Sequence, residues 1–338
     1  MKTKNIFPGI LFLTISLIYS CQDDSMPGPI IQYNIDTVKS LESLSKVDDY
    51  PFYTMTIYGD YGFSDYLQIG SGNSAVIQKD ISGDKYKCTC FASWGDGGNV
   101  FGRNFDWRHH EALLLFTDPS DGYASAAMID MFYLFNRSNA PLTTIEDRQP
   151  LLNAPYYSFD GMNEMGVSIG IMAVDHAEPT TDPAKITIND LDVVRLVLDY
   201  AANANEALEL IEKYNIKFWS VPLHYLIADK NGNSVIVEFI NTEVKTFFNT
   251  DNYQVCTNFL IDENKSDLSG NCWRYDLAVE TLSNNNGNLS SNTAMDLLDQ
   301  VSQSNTMWSL VYDLTKKEVF AVTDRKYNSV YKFTLPGK

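Results

Sequence analysis

The sequence predicts an α+β domain of layered sheets and helices, preceded by an export signal. Two blocks of strand-like segments are separated by a pair of helical segments, the order expected of layered sheets and helices. The chain has 338 residues, 44% of them hydrophobic, so it can bury a large core. Lys2 and Lys4 precede an apolar run that is shorter than the roughly 20 residues of a membrane span, which is typical of a signal peptide.

The composition argues against several classes of partner. The chain carries 43 acidic and 25 basic residues, a net charge of −18, and no basic cluster offsets it. Such a surface repels nucleic acid. No Cys/His set has zinc-ligand spacing, and the segment 229–233 lacks the Gly and Glu positions of a calcium loop. We therefore expect no nucleic-acid partner, no metal and no cofactor, and the oligomeric state, including a homo-oligomer, stays open.

The apolar run ends in Leu-Ile-Tyr-Ser-Cys, which resembles a bacterial lipobox. The resemblance implies a lipoprotein signal peptide over residues 1–21, with Cys21 diacylated as the mature N-terminus. The acidic stretch after Cys21 resembles the surface-export signals of Bacteroidetes lipoproteins. We expect an exported protein, lipid-anchored to the bacterial outer membrane on its periplasmic or cell-surface face. The alternative is a plain signal peptide in which Cys21 is incidental.

The next segment, residues 22–87, reads as a tether and pro-segment. Pro and Gly residues in 22–35 predict the tether, and a short helical pattern covers 38–44. An aromatic-rich stretch at 53–66 and a polar strand pattern ending at Lys87 follow. This segment is too small to form its own core. We expect the aromatic stretch either to cover the site before cleavage or to shape an apolar substrate channel.

The pattern changes at Cys88, where a β-hairpin is predicted. Residues 88–94 and 100–107 alternate as strands around the turn Gly-Asp-Gly-Gly. Capping residues and apolar spacing then predict a pair of helices. The later predicted elements are, in order, strands at 112–117, 124–130 and 166–173, helices beginning near 187–189 and 203–205, strands at 223–228, 235–239 and 255–259, a helix over 293–303 and a strand meander over 307–333.

The predicted hairpin is expected to bring a thiol, a cation and a carboxylate together. A thiol needs a nearby base or cation to become a nucleophile. If Cys88 becomes an N-terminus, its own α-amine, with a pKa of roughly 7.7–8.0, supplies that base. Arg103 can stabilise the thiolate, and Asp106 can accept a hydrogen bond from the amine. The alternative from the residues alone is a surface Arg and Asp in a hairpin beside a buried Cys.

The segment Cys-Thr-Cys-Phe at 88–91 with Gly-Arg-Asn-Phe-Asp at 102–106 resembles the start of the choloylglycine hydrolase and acid ceramidase superfamily of N-terminal-nucleophile (Ntn) linear amide hydrolases. The likeness continues in order through further segments of the chain, so that it covers 88–338. The long segment before Cys88 resembles the autoproteolytic isopenicillin N acyltransferase branch. The resemblance implies a four-layer αββα sandwich with a catalytic domain at 88–338. The segments that continue it are 160–167, 223–229, 234–238, 256–259 and 308–312.

The resemblance also assigns roles, and it implies that cleavage after Lys87 frees the nucleophile. Thr89 follows Cys88 as the family pattern requires, which favours Cys88 over the rival nucleophile Cys90. His224 begins a buried-looking strand and is predicted to be a core histidine, not a base. The five assigned positions are Cys88 as nucleophile, Arg103 and Asp106 as its orienting pair, Asn258 as donor to the oxyanion, and Arg274 as the second family arginine.

These assignments predict an autoproteolytic cysteine hydrolase that cleaves a linear, non-peptide C–N amide bond in a small-molecule substrate with an acyl chain. Bile-salt hydrolases carry Asn where this chain has Ala173, so N-acyl amides are the preferred substrate class. The alternatives are an acyltransferase of the isopenicillin N type, a conjugated bile-salt hydrolase, and a non-catalytic ligand-binding lipoprotein. Whether Cys256 and Cys272 form a disulfide stays open.

Overall fold

Two β-sheets face each other, and each carries helices on its outer side. The computed structural model describes residues 34–71, 87–218 and 221–335. The predicted signal peptide with Cys21, most of the predicted tether and the polar stretch before Lys87 lie outside the described residues. From Asn34 onward the described residues belong to one compact unit.

The larger sheet has nine strands among the residues that the structure describes. They are β1 (Ser45–Asp48), β2 (Phe52–Ile57), β5 (Ala112–Thr117), β6 (Ser125–Asp130), β7 (Asp160–Asn163), β8 (Val167–Ala173), β11 (Leu223–Asp229), β12 (Ser234–Ile240) and β13 (Glu243–Phe248). They lie side by side in that order. Neighbours run antiparallel, except that β2 and β5 are parallel.

The smaller sheet has six antiparallel strands and contains the predicted hairpin. They are β3 (Lys87–Gly95), β4 (Gly98–Asp106), β14 (Tyr253–Cys256), β15 (Thr306–Asp313), β16 (Glu318–Thr323) and β17 (Tyr331–Thr334). Their order across the sheet is β14-β3-β4-β15-β16-β17. A separate parallel pair is formed by β9 (Thr187–Asn189) and β10 (Asn215–Lys217).

Helices complete the four layers. Two helices, α4 (Asp190–Tyr200) and α5 (Ala204–Ile211), pack on the nine-stranded sheet. Two others, α7 (Trp273–Asn284) and α8 (Ser291–Gln300), pack on the six-stranded sheet. The shorter helices are α1 (Ile35–Glu42), α2 (Phe63–Ile69), α3 (Phe132–Phe135), α6 (Ile261–Asn264) and a 3-10 helix at Gln149–Tyr157. The predicted α+β αββα arrangement is confirmed. None of the described helices is long and apolar enough to cross a bilayer.

The two sheets come closest where β3 faces β8. Gly170 of β8 has no side chain, and a Cβ added there would lie 2.8 Å from Sγ of Cys90. Contacts this short do not occur between real Cβ atoms, so only glycine allows this approach. The close approach presses the part of β3 that carries the thiols against the second sheet.

The chain before Cys88 is built into the nine-stranded sheet. All six residues of β2 pair with β5, and Phe52 and Met55 are fully buried. Tyr61 donates a hydrogen bond to Asp199 of α4 at 2.7 Å. The predicted boundary at Lys87 is therefore not a break in the fold. The aromatic stretch at 53–66 forms a strand and a helix at this edge, so the expectation that it covers the site is wrong.

Candidate active site

Cys88 and Cys90 lie on the face of β3 that points toward the nine-stranded sheet, because side chains two residues apart share one face of a strand. Cys88 is 4% exposed and lines a cavity, whereas Cys90 is fully buried. Cys90 lies opposite Cys256 of β14. Burial raises the pKa of the Cys90 thiol to about 12, which makes it a poor nucleophile. Of the two rival thiols, Cys88 is the one placed for reaction.

Arg103 supplies a positive charge beside these thiols. It lies opposite Cys90 in the β3–β4 pair, and its guanidinium is fully buried. Burial opposes its charge, but the nearby Cys88, Cys90 and Asp160 outweigh this effect and raise the pKa of Arg103. A cation in this position favours the reactive thiolate form of a cysteine.

Asp160, at the start of β7, is the ionic partner of Arg103. Its Oδ2 lies 3.5 Å from Nε of Arg103. Asp160 also accepts hydrogen bonds from Nε1 of Trp308 at 3.1 Å and from the hydroxyl of Tyr312 at 2.5 Å. Burial raises the pKa of this carboxyl group, although Arg103 acts in the opposite direction. Sequence reasoning gave Asp160 no role, although it begins one of the matched segments.

Asp106 does not join Arg103 beside the thiol. The two residues are three apart on β4 and therefore lie on opposite faces of the sheet. The carboxylate of Asp106 accepts hydrogen bonds from Thr306 at 2.5 Å and Gln303 at 2.6 Å. Burial raises the pKa of Asp106. The backbone of Asp106 pairs with Lys87, so the residue lies beside the predicted cleavage position without contacting the Cys88 amide.

Asn258 contacts the backbone of Cys88 directly. It follows β14, and its Oδ1 accepts a hydrogen bond from the Cys88 N–H at 2.5 Å. Its Nδ2 donates to the carbonyl oxygen of Ala173 at 2.7 Å. A side-chain amide has two N–H donors, so one remains for an oxyanion at Cys88. Ala173 therefore contributes a backbone acceptor that orients Asn258, at the position where an Asn side chain is expected in bile-salt hydrolases.

Arg274 reaches the same point from the first turn of α7. Its Nη1 donates to the carbonyl oxygen of Cys88 and, at 2.9 Å, to Oγ1 of Thr89. Its Nη2 donates to Oδ1 of Asn258 at 3.1 Å. Arg274 is 3% exposed, so these charge-assisted bonds are shielded from water. The structure thus joins Cys88, Asn258 and Arg274 in one network.

An apolar cavity opens beside the Cys88 thiol. Its volume is about 40 Å³. The side chains that form most of its wall are aromatic or aliphatic: Phe105, Trp107, Tyr133, Phe159, Leu191 and Leu223. A larger groove of about 690 Å³ shares Asp190 and Leu191 with this cavity but is not lined by Cys88. We place the site at the smaller cavity, because Cys88 lines it.

Outside this network lie two further histidines and the cysteines Cys256 and Cys272. His109 bonds the carbonyl oxygen of Tyr50 at 3.0 Å, and His110 pairs with Asp130 at 2.8 Å. The four cysteines among the described residues, which include Cys256 and the half-buried Cys272, are free thiols. In the described ranges, no group of three or more His, Cys, Asp or Glu side chains is arranged to hold a metal ion.

Sequence reasoning missed one pair that borders the site. His224 and Glu238 are fully buried, and Nδ1 of His224 lies 3.1 Å from Oε1 of Glu238. Both residues belong to segments that resemble the family. The available signal in the sequence was that each of these two neighbouring, apolar strand-like segments contains an ionisable residue. The pair contacts the loop that carries Asn258.

Comparison with solved structures finds proteins with a similar fold. Two variants of the conjugated bile acid hydrolase from Clostridium perfringens superpose with TM-scores of 0.54 and 0.53, at 16% and 15% identity. Each comparison covers 73% of this chain and 92% of the other. Penicillin V acylase from Agrobacterium tumefaciens is similar at 17% identity with a TM-score of 0.49, over 72% of this chain and 90% of the other. No curated protein sequence matches the chain.

A family model provides the assignment. The model described as linear amide C-N hydrolases, choloylglycine hydrolase family, matches residues 88–260, just over half of the chain. The matched region begins at Cys88 and includes Arg103, Asp160 and Asn258, whereas Arg274 lies beyond it. The chain therefore belongs to the choloylglycine hydrolase family of linear amide C–N hydrolases, enzymes that act on carbon–nitrogen bonds other than peptide bonds.

Proposed function

We propose that this protein is a self-processing, thiol-dependent Ntn hydrolase of N-acyl amides whose nucleophile is Cys88. The observation that carries the proposal is the convergence of Arg103, Asn258 and Arg274 on Cys88 at the edge of an apolar cavity. Each of these groups has a use in acyl transfer: a cation beside the thiol, a donor for the oxyanion, and a cation that holds the backbone of the nucleophile.

Self-processing begins with the Cys88 thiol attacking the carbonyl carbon of Lys87. The peptide C–N bond breaks and a thioester forms, while the Cys88 nitrogen takes up a proton and becomes an α-amine. Water then hydrolyses the thioester, which leaves a Lys87 carboxylate and a free thiol. Two observations support this step: the family match begins at Cys88, and Asn258 already contacts the nitrogen that would be released.

Turnover repeats the same chemistry on a substrate amide. The thiol loses its proton to the α-amine and attacks the substrate carbonyl, and the free N–H of Asn258 stabilises the oxyanion. The α-amine passes the proton to the leaving amine as the C–N bond breaks. Water then releases the acyl group from the thioester. A preorganised donor of this kind contributes about 2.7–4 kcal/mol in comparable enzymes.

The wall of the cavity favours an apolar acyl group. Phe105, Trp107 and Phe159 present aromatic surface next to the thiol, and Leu191 and Leu223 extend it. Burial of an apolar chain in such a pocket gains about 0.8 kcal/mol per CH₂ group. The described residues of this wall include no basic side chain and one carboxylate, that of Asp190, so they offer no partner to the acid group of a bile-salt conjugate. We therefore place N-acyl amides ahead of conjugated bile salts as substrates.

We further propose that residues 22–87 remain bound after cleavage and anchor the enzyme through lipid on Cys21 at the outer membrane. The buried side chains of this segment include Leu41, Phe52, Met55 and Phe63. At about 1.5–3 kcal/mol each, their burial opposes release by roughly 6–12 kcal/mol. Labelling with radioactive palmitate tests the anchor. Incorporation that persists in a Cys21→Ala variant would contradict it.

The processing step is tested with the full-length chain and its Cys88→Ala variant. Denaturing gels, intact mass and N-terminal sequencing should show two wild-type fragments, one of which begins at Cys88. Cys88→Ala should stay intact and inactive. The matched control is Cys90→Ala, which removes a thiol two residues away and should still be cleaved. A wild-type chain that is active but never cleaved would refute the processing step.

Substrate class is tested with a hydrolysis panel. It contains fatty N-acyl amides, N-acyl amino acids, conjugated bile salts and penicillin-type amides at equal concentration, with products measured by mass spectrometry. The highest kcat/KM should fall on an N-acyl amide with a linear acyl chain. Preferred cleavage of a bile-salt conjugate would overturn the substrate assignment, and transfer to an added amine in preference to water would identify an acyltransferase.

A further inference from the structure

The loop that carries Asn258 is held at both ends by one buried pair. On its near side, Nε2 of His224 lies 2.7 Å from the carbonyl oxygen of Thr257, the residue before Asn258. Nδ1 of the same ring lies 3.1 Å from Oε1 of Glu238. His224 therefore connects Glu238 to the backbone immediately before the oxyanion donor.

On the far side of the loop, Glu238 accepts two backbone hydrogen bonds. Its Oε1 accepts from the N–H of Ile261 at 2.6 Å, and its Oε2 accepts from the N–H of Asp262 at 3.1 Å. Both belong to the first turn of α6. The two buried side chains together fix backbone groups on each side of Asn258.

The contacts of His224 place this pair around the loop. A carbonyl oxygen only accepts, so Nε2 of His224 carries a hydrogen and donates it to Thr257. Sγ of Cys256 lies 3.3 Å from the same nitrogen. A buried pair of ionisable side chains is a weak source of stability, because desolvation offsets its attraction. Its place around the loop of Asn258 points to a different role.

We propose that His224 and Glu238 are positioning residues for amide hydrolysis, which hold the 257–262 segment so that Asn258 stays against Cys88. The inference rests on the proposed function, because it assumes that Asn258 donates to the oxyanion. It replaces the interpretation of His224 as a core histidine without a role in the reaction. Both side chains are fully buried, so we expect them to act through Asn258 and not on the substrate.

The test is a double-mutant cycle on the processed full-length enzyme with lauroyl-p-nitroanilide as the probe. The variants are His224→Ala, Asn258→Ala and the double variant, with kcat expressed per β chain that carries a free Cys88 N-terminus. The matched control is His110→Ala, which breaks another buried His–carboxylate pair, 2.8 Å long, away from Asn258. Thermal unfolding of every variant measures the structural cost separately.

We expect Asn258→Ala to lower kcat by about 10²–10³-fold, as for other oxyanion donors. His224→Ala should lower kcat at least 10-fold with KM changed less than about 3-fold. In the Asn258→Ala background, His224→Ala should lower kcat by less than about a further 3-fold, because the effects of residues that act through one group are not additive. His224→Gln, which keeps a donor toward Thr257, should recover part of the loss. His110→Ala should retain wild-type kcat despite lower thermal stability.

Three contrary outcomes are distinguishable. If the His224 and Asn258 effects on kcat multiply in full, the positioning role is wrong while the proposed function stands. If Asn258→Ala leaves kcat unchanged, the proposed role of Asn258 fails, and this inference fails with it. A loss of kcat in His110→Ala equal to that in His224→Ala would assign both losses to general destabilisation.

Discussion

Alkylation of the described cysteines tests which thiol of β3 is the nucleophile. Burial raises the pKa of Cys90 to about 12, so at pH 8 about one part in 10⁴ of this thiol is ionised. In the unfolded chain the ordinary thiol pKa of about 8.5 gives about one quarter thiolate. Iodoacetamide reacts with the thiolate. Cys90 should therefore react about 10³-fold more slowly in the folded protein than in the unfolded one.

The assay is a time course of iodoacetamide at pH 8, native and in denaturant, quenched and mapped by peptide mass spectrometry. Cys88 should be alkylated first in the native protein, because it lines the cavity, and enzyme activity should fall in step. Cys256 is the internal control: burial raises its pKa as well, so it should be protected like Cys90. Cys272 is half-buried and reports surface reactivity.

The pH dependence of Cys90 alkylation gives a second test of the raised pKa of this thiol. A thiol whose folded pKa is raised favours the folded state below the unfolded pKa of about 8.5, and this contribution is lost as the pH rises toward the folded value. Protection of Cys90 should thus weaken above pH 8.5 as the protein loses stability. A native Cys90 rate within 10-fold of its denatured rate at pH 8, or loss of activity that follows Cys90 alkylation, would refute the assignment of Cys88.

Three further predictions concern the groups around the site and the first segment. Burial raises the pKa of Asp192 to about 6. In the uncleaved Cys88→Ala background, the contribution of Asp192 to the free energy of unfolding is therefore present below pH 3.8 and lost as the pH rises to about 6. The reference is the same background with an added Asp192→Asn change. Over this pH range, the free energy of unfolding measured in denaturant titrations should fall by about 3 kcal/mol more than it does in that reference. Equal pH profiles of the two variants would contradict this. Arg274→Leu should slow the appearance of the β chain on gels at least about 100-fold, because its charge-assisted bonds to the Cys88 carbonyl oxygen and to Asn258, at about 1.5–3 kcal/mol each, are lost. Wild-type cleavage would exclude its role. Tyr61→Phe should lower stability by about 1.5–3 kcal/mol through the lost bond to Asp199, with kcat unchanged; an unchanged melting temperature would show that this bond contributes nothing.

The sequence predicted the hairpin of β3 and β4 well, because its signal is local. Alternating strands flank Gly-Asp-Gly-Gly, and the turn fixes which residues face each other. The placement of Asp106 was predictable in principle and was missed. Arg103 and Asp106 are an odd number of residues apart on one strand, so period-2 alternation puts them on opposite faces. The partner of Arg103, Asp160, comes from the other sheet and only the fold reveals it.

Other elements were not predicted, because their sequence signals are weak or depend on distant contacts. In α7, only Arg274, Ala278 and Leu282 are buried, so its apolar stripe is too short to indicate a helix. The edge strand β13 has no fully buried residue. The role of 53–66 was also out of reach. Its parallel partner β5 lies about 60 residues further along the chain, and nothing in the local pattern indicates such a pairing.

The parallel pairing of β2 with β5 has a consequence for how the enzyme is made. While the chain is continuous, this strand finds its place at an effective concentration set by its own connection to β3. If the bond after Lys87 is broken as proposed, the same strand belongs to a separate molecule, and renewed assembly becomes a bimolecular reaction. A cleaved enzyme that has been unfolded should recover in proportion to protein concentration, whereas the uncleaved precursor should recover independently of it. The proposed cut must therefore follow completion of the fold, and it would make loss of the fold hard to reverse.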